Sequence, residues 1–226
     1  MADTPRQLPL ILPHEAALGR EDYLVGRSNK AAFELLDSWP EWPAPVVILA
    51  GPVGSGKTHL VEAFHAETGA AVIAAQDLSE NAVRNLVPDL PIVVEDAHQG
   101  VDETALFHLL NAARQAGVSV LITSRTWPVS WGLTLPDLIS RLRAAAPVEI
   151  EEPDDELLRC VLVKLFADRQ ISIDAAVVDY LVVRMERSLG VAIKVVDAID
   201  RESLAGRAKI TRPLAGRVLE SVHNPS

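Results

Sequence analysis

Apolar residues first fall into short β-branched runs separated by amphipathic stretches; past residue 152 only helical periods remain. The runs at 46–50, 71–74, 92–95, 118–123 and 148–150 are short and apolar, as strands buried in a parallel sheet must be. Between them, 29–39, 59–68, 80–86, 104–116 and 135–142 carry apolar residues at three- and four-residue spacing, which predicts helices. Ser28 is the expected cap of the first, and Gly117 the expected stop of the fourth. Such alternation predicts an α/β domain, a parallel sheet with helices on both faces. After Glu151-Glu-Pro-Asp-Asp155 the helical stretches 155–169, 174–186, 191–204 and 212–222 predict a small all-helical domain. Asp154 or Asp155, Asp174 and Thr211 stand at cap positions. The expected organisation is a tail over 1–19 with Pro5, Pro9 and Pro13, an α/β domain over 20–151, and a helical domain over 152–226.

Composition narrows the function. A chain of 226 residues, nearly half of them apolar, is globular and can build one substantial core plus a smaller one. A net charge of −10 argues against broad nonspecific nucleic-acid binding, which needs a basic face. The single cysteine, Cys160, permits no internal disulfide and fits a reducing cytoplasm; its apolar helical setting predicts a small core residue. No run approaches 18 apolar residues, so no membrane span is expected, and the N-terminus lacks a signal-peptide layout.

The chemistry concentrates at residues 51–58. Gly51, Pro52, Val53, Gly54, Ser55, Gly56, Lys57 and Thr58 fit the phosphate-binding pattern G-x-x-x-x-G-K-[ST] at every fixed position, with a strand run before and a helical run from His59 after. Glycines there let backbone N–H groups converge on phosphate oxygens at a helix N-terminus. Lys57 would reach the β- and γ-phosphates, and the Thr58 hydroxyl would ligate Mg²⁺. Downstream, Pro91-Ile-Val-Val-Glu95-Asp96 is an apolar strand ending in two acids, one suited to orient Mg²⁺ and the other to polarise water. Their order reverses the usual one, so the two roles stay unassigned. Thr123 and Ser124 end the next strand, where a polar side chain can lie beside a γ-phosphate or simply start a turn. Arg141 and Arg143 close a helix, placed either to reach a neighbouring molecule's phosphate or to complement the helix dipole. In the tail, Gln7, Leu8, Pro9, Leu10, Ile11 and Leu12 form an extended segment suited to a partner's groove, or to packing on its own domain.

Together these residues resemble the AAA+ ATPases, and more narrowly the DnaA/Hda family. The resemblance runs from Arg20 to about Val222 plus the tail. It rests on Tyr23-Leu-Val-Gly26 with Asn29, the phosphate loop continuing into His59-Leu60, the Val-Val-Glu-Asp strand, Leu-Ile-Thr-Ser-Arg and Leu-Ile-Ser-Arg-Leu. It implies an AAA+ sheet followed by a helical lid. Tyr23, Leu24 and Val25 would line the adenine pocket, Ser124 would lie at the nucleotide, and Arg141 would be an arginine finger. The tail matches the start of a sliding-clamp motif. The chain is too short for the DNA-reading helix-turn-helix of the replication initiators, so the shorter Hda type is the nearer likeness. One position departs: the family's lid arginine (sensor II) falls near Gly190 or Val191, and neither Arg187 nor Lys194 aligns with it. That implies weak self-hydrolysis and ADP as a structural ligand.

The function so implied is a cytoplasmic, nucleotide-binding regulator of replication initiation. It holds ADP or ATP, with Mg²⁺ supported by Thr58, Glu95 and Asp96. It docks on the sliding clamp, meets DNA only through the clamp, and promotes hydrolysis of DnaA-bound ATP, its own ATPase being weak or partner-dependent. Family members often dimerise, so a homodimer belongs to the expectation. The alternative is a DnaA-like or helicase-loader-like ATPase that engages DNA without the clamp; a small-molecule kinase fits the helical C-terminal part poorly.

Overall fold

The computed structural model describes residues 19–85, 89–206 and 209–223. The tail motif at residues 7–12 lies outside them. Five strands, β1 (Val46–Ala50), β2 (Ala71–Ala74), β3 (Ile92–Glu95), β4 (Val120–Ser124) and β5 (Ala146–Glu149), form one parallel sheet in the order β2-β3-β4-β1-β5. Successive side chains on a strand point to opposite faces. Ile48, Val94 and Ile122 accordingly face one core, with Leu106, Leu109 and Leu110 of α4 (Glu103–Ala116) and Leu138 and Leu142 of α5 (Pro136–Arg143). Val47, Leu49, Val93 and Leu121 face the other, with Leu36 of α1 (Lys30–Asp37) and Leu60, Val61 and Phe64 of α2 (Lys57–Thr68). A short helix α3 (Glu80–Asn85) lies between β2 and β3.

Four helices follow: α6 (Asp155–Asp168), α7 (Ala175–Arg184), α8 (Leu189–Gly206) and α9 (Arg212–His223). They enclose a separate core in which Leu158, Leu162, Phe166, Leu181, Val195, Val196, Ile199 and Val218 are fully or almost fully buried. The Asp154 carboxylate accepts from the Leu157 N–H at 2.8 Å and Asp174 from Ala176 N–H at 2.8 Å, which satisfies free donors at the starts of α6 and α7. The lid is tied back to the first described turn by Lys164, whose ammonium donates to Asp22 Oδ1 at 2.7 Å.

Several sequence expectations change. Ser28 does not cap α1: Asn29 occupies the N-cap position and uses its amide otherwise, accepting from Gly26 N–H at 2.7 Å and donating to the Leu24 carbonyl at 2.9 Å. β5 starts two residues before the expected run and includes Pro147, which a strand paired on one side only tolerates. β4 begins at Val120, because Gly117 turns left-handed (φ 73°) and the Val118 N–H still bonds back to Ala113. Cys160 is exposed rather than a core residue, since α6 turns Leu158 and Leu162 inward and leaves Arg159 and Cys160 outside.

One tertiary contact fixes α5. Its N-cap residue, Leu135, has no capping side chain of its own. The Glu103 carboxylate, at the start of α4, accepts instead from the Thr134 N–H at 2.9 Å, the Thr134 hydroxyl at 3.0 Å and the Leu135 N–H at 2.6 Å. These bonds, the Leu135 N–H foremost, hold the Glu103 carboxyl below the usual glutamate range. A depressed carboxyl contributes stability above its unfolded value and loses it as pH falls through the folded one. Glu103→Gln should therefore lower the melting temperature near neutral pH, and the gap to wild type should close on acidification through the carboxylate range. A gap that is constant with pH in a series of thermal melts would contradict this account.

Candidate nucleotide site

The glycine loop leaves β1, the strand between β4 and β5, and enters α2 at Lys57. Its path depends on missing side chains. A Cβ on Gly51 would lie 2.5 Å from the Ile150 carbonyl, and the Gly51 N–H donates to the Ser124 carbonyl at 3.2 Å. Gly54 (φ 72°) and Gly56 (φ 100°) are left-handed, a region L side chains rarely adopt. A Cβ on Gly54 would overlap the Ser188 hydroxyl, and one on Gly56 would meet Leu189 at 3.2 Å.

Lys57 is half-buried, and its ammonium donates to the carbonyls of Gly51 at 2.7 Å and Pro52 at 2.8 Å. Burial lowers its proton affinity; nearby Asp96 raises it and Arg125 lowers it further. The Ser55 hydroxyl is buried with no hydrogen-bond partner among the described residues. Thr58, at the second position of α2, and Val53 are exposed. A cradle that admits no Cβ, a partnerless buried hydroxyl and an ammonium at a helix start together fit a polyphosphate.

The two acids take different postures. Glu95 ends β3 half-buried, and its carboxyl is pushed up by burial first, then by Asp96 and Glu62. Asp96 turns left-handed (φ 57°); its N–H donates to Thr123 Oγ1 at 3.0 Å and its Oδ2 accepts from Gln99 at 2.9 Å. Among the described residues no group of three or more His, Cys, Asp or Glu side chains is arranged to hold a metal. Mg²⁺ needs no such cage, because it binds through one or two carboxylates plus phosphate oxygens and water. The adjacent Glu95 and Asp96 carboxylates are of the kind that mode uses.

Ser124 is fully buried; its hydroxyl accepts from Thr126 N–H at 3.3 Å. Thr123, one residue earlier, is the one that reaches Asp96, a placement the alternation of strand residues decides and sequence alone left open. His98 is also new: its Nδ1 accepts from Arg125 N–H at 3.3 Å and stands 3.8 Å from Asp96. No motif in the sequence signals it.

Tyr23 is buried, stacked on Phe33 at 5.7 Å and edge-on to His59 at 5.1 Å, so its ring braces the loop beside Gly56. Burial pushes its hydroxyl up to about 12. Leu24 gives its carbonyl to Asn29, while Val25 is 46% exposed. A cavity of about 370 Å³ opens between Leu24, Val25, Gly26 and Leu157, with the charged Arg27, Lys30, Asp154 and Glu156 also in its lining. His59 shows its Nε2 to the Gly19 carbonyl at 3.5 Å, and its imidazole is lowered by burial.

The lid touches the loop directly. The Leu189 N–H, at the start of α8, donates to the Gly54 carbonyl at 2.7 Å, and the Ser188 hydroxyl accepts from Val191 N–H at 3.3 Å. Serine before an apolar helical run is a cap signal, legible in the sequence. Gly190, which with Val191 stands near the family's lid-arginine position, packs its backbone near Gly54. Arg187 is paired with Asp155 at 2.9 Å, and Lys194 is exposed. Arg141 lies elsewhere. It lines a cavity of about 220 Å³ with Pro45, Val46 and Val120, at the strand ends opposite the loop.

Residues 155–219, α6 to most of α9, match the family model described as the Hda lid domain. Over 228 residues the chain is 26% identical to an uncharacterised protein of Haemophilus influenzae, covering 95% of this chain and 98% of that protein. It is 24% identical over 229 residues to the chromosomal replication initiator protein DnaA of Bacteroides fragilis, covering 89% of this chain and 48% of that one. The chain thus spans about half the length of such DnaA relatives. Its fold is that of domain III of DnaA from Thermotoga maritima (TM-score 0.78, 18% identity, 95% of this chain and 100% of that one). AMPPCP-bound DnaA from Aquifex aeolicus superposes at a TM-score of 0.67, with 19% identity over 84% of this chain and 66% of that one. No helix among the described residues is long and apolar enough to cross a membrane.

The contact of α8 with the loop can be isolated by comparing two glycines. Gly117 has the same left-handed φ as Gly54 and open space around it. Gly54→Ala and Gly117→Ala should each lose about 1–3 kcal/mol to backbone strain. Only Gly54→Ala should also speed hydrogen exchange at the Leu189 amide and weaken ADP binding in calorimetry. Equal behaviour of the two variants would contradict the direct contact.

Proposed function

We propose that this chain is a DnaA/Hda-type AAA+ protein, a nucleotide-binding regulator which promotes hydrolysis of DnaA-bound ATP while docked on the sliding clamp; the Hda lid match over residues 155–219 and the DnaA domain III fold support this reading. The observation that carries the reading is the position of Arg141. The phosphate loop follows the C-terminal end of β1, whereas Arg141 stands beside Val46 and Val120, at the N-terminal ends of β1 and β4. At about 3.3 Å per residue the strand alone separates them by roughly 13 Å. An arginine placed there serves a nucleotide on another molecule, not its own.

Residues 51–58 and the segment from Tyr23 to Val25 would hold ADP or ATP, with Lys57 on the phosphates and Thr58, Glu95 and Asp96 toward Mg²⁺. Bound nucleotide supplies charge that the loop amides and Lys57 neutralise, which fixes the loop against α8. With Gly190 and Val191 near the family's lid-arginine position, the usual cation is missing there, which supports weak self-hydrolysis. The clamp contact is assigned to Gln7, Leu8, Pro9, Leu10, Ile11 and Leu12, on the sequence alone.

The test mixes the full chain with clamp-loaded DNA and ATP-bound DnaA and follows phosphate release. Wild type should accelerate hydrolysis. Trans-acting arginines contribute on the order of 10³-fold or more, so Arg141→Ala should return the rate to its unstimulated value. Gln7→Ala with Leu8→Ala should abolish clamp capture and stimulation together. No acceleration by wild type, or full acceleration by Arg141→Ala, defeats the reading. Tight clamp-independent binding to single-stranded DNA would favour a loader instead.

A further inference from the structure

Arg141 sits in the last turn of α5, and among the described residues no carboxylate pairs with it. Its recorded contact is aromatic: the guanidinium carbon stands 5.2 Å from the centroid of the Phe107 ring. Phe107 belongs to α4 and is only partly buried, packed at the margin of the core that Leu106, Leu109 and Leu110 form with Leu138 and Leu142. Glu103, four residues earlier and so on the same face of α4, holds the other end of α5 through Thr134 and Leu135. One face of α4 thus grips α5 at its first residues and at its last turn.

The choice of an aromatic partner has a chemical consequence. A carboxylate would hold a guanidinium more strongly, but it would neutralise the charge and occupy the planar N–H fork that recognises phosphate. A ring face holds the cation through its quadrupole and leaves that fork unoccupied. We propose that Phe107 is the positioning residue for Arg141, restraining the guanidinium in aim while leaving its charge and N–H donors available to a partner's nucleotide. This rests on the trans-acting reading of Arg141.

The experiment uses the full chain in the clamp and DnaA hydrolysis assay, with the concentration of this protein varied. Phe107→Leu keeps an apolar side chain and removes the ring; Phe107→Tyr keeps the ring. A lost cation–π contact at a partly exposed site amounts to about a two- to fivefold effect. Phe107→Leu should lower the maximal stimulated rate by that factor at an unchanged half-saturating concentration, and Phe107→Tyr should match wild type. In the Arg141→Ala background Phe107→Leu should have no further effect, because the two residues act as one unit. A ring-current shift of the Arg141 Nε–H resonance, lost in Phe107→Leu and kept in Phe107→Tyr, reads the stack without any partner. If Arg141→Ala is defective but Phe107→Leu is fully active, the positioning role is overturned and the trans-acting reading stands. If Arg141→Ala is fully active, both fall. If Leu and Tyr variants lose activity and melting temperature in parallel, Phe107 is a packing residue and the proposal is overturned.

Discussion

The glycine loop is pressed between two backbones, and the rest of the structure is arranged around that closeness. On one side the Ile150 carbonyl lies where a Gly51 side chain would go; on the other, Ser188 and Gly190 lie against Gly54. Ile150 ends the α/β part and Ser188 opens the third lid helix, so one loop touches both halves of the chain. The Leu189 N–H to Gly54 carbonyl bond makes the lid part of the loop's hydrogen-bonding environment. Lys164, bonded to Asp22, fixes the first lid helix to the turn that leads into Tyr23, which in turn braces Gly56. A change in loop conformation therefore meets the lid at two places, by backbone contact at Gly54 and, through Tyr23 and its turn, by the Lys164–Asp22 ion pair.

Electrostatics around the loop are balanced at short range in a chain of net charge −10. Lys57 loses proton affinity to burial and regains part of it from Asp96, while Arg125 opposes that gain. Glu95 is held toward its neutral form by burial and by Asp96. Adding a polyphosphate and a divalent cation would relieve both strains, since the phosphates favour the charged lysine and the cation favours ionised carboxylates. Asp96 is committed to its place by its own backbone, through the Thr123 hydroxyl, whereas Glu95 takes its place from the end of β3.

What could be read beforehand was local. β1, β2 and β3 were legible to the residue, because continuous apolar runs bounded by turn residues have few alternative readings. The loop was legible because its glycines obey a spacing rule. β5 was shifted because Pro147 masks an edge strand, and Cys160 was misplaced because Cys160-Val161-Leu162-Val163 is a continuous apolar run that hides which face of α6 turns inward. Asn29 outcompeted Ser28 because its amide can accept and donate at once, linking Gly26 and Leu24. The contacts that matter most to the site, Gly54 with Leu189, Thr123 with Asp96 and Glu103 with Leu135, join residues 27 to 135 positions apart along the chain. No window of sequence contains such pairs.

The fold also sets the phosphate loop and Arg141 at opposite ends of one sheet. In a parallel sheet every strand presents its C-terminal end on the same side, so the loop, Glu95, Asp96 and Thr123 gather there without further design. The helices run back, and their ends gather at the opposite side, where α5 delivers Arg141. A residue at that end cannot fold back onto its own phosphate site without leaving the Phe107 face and the core that Leu138 and Leu142 anchor. The lid position and Arg141 therefore belong to two separate sites. Under the proposed function, the lid position without its arginine weakens what this chain does to its own nucleotide, and Arg141 is what it offers to a neighbour. Because the lid reaches the loop by backbone contact at Leu189 and Gly190, a nucleotide held as proposed would act on the lid through the loop itself, with no cation needed between them.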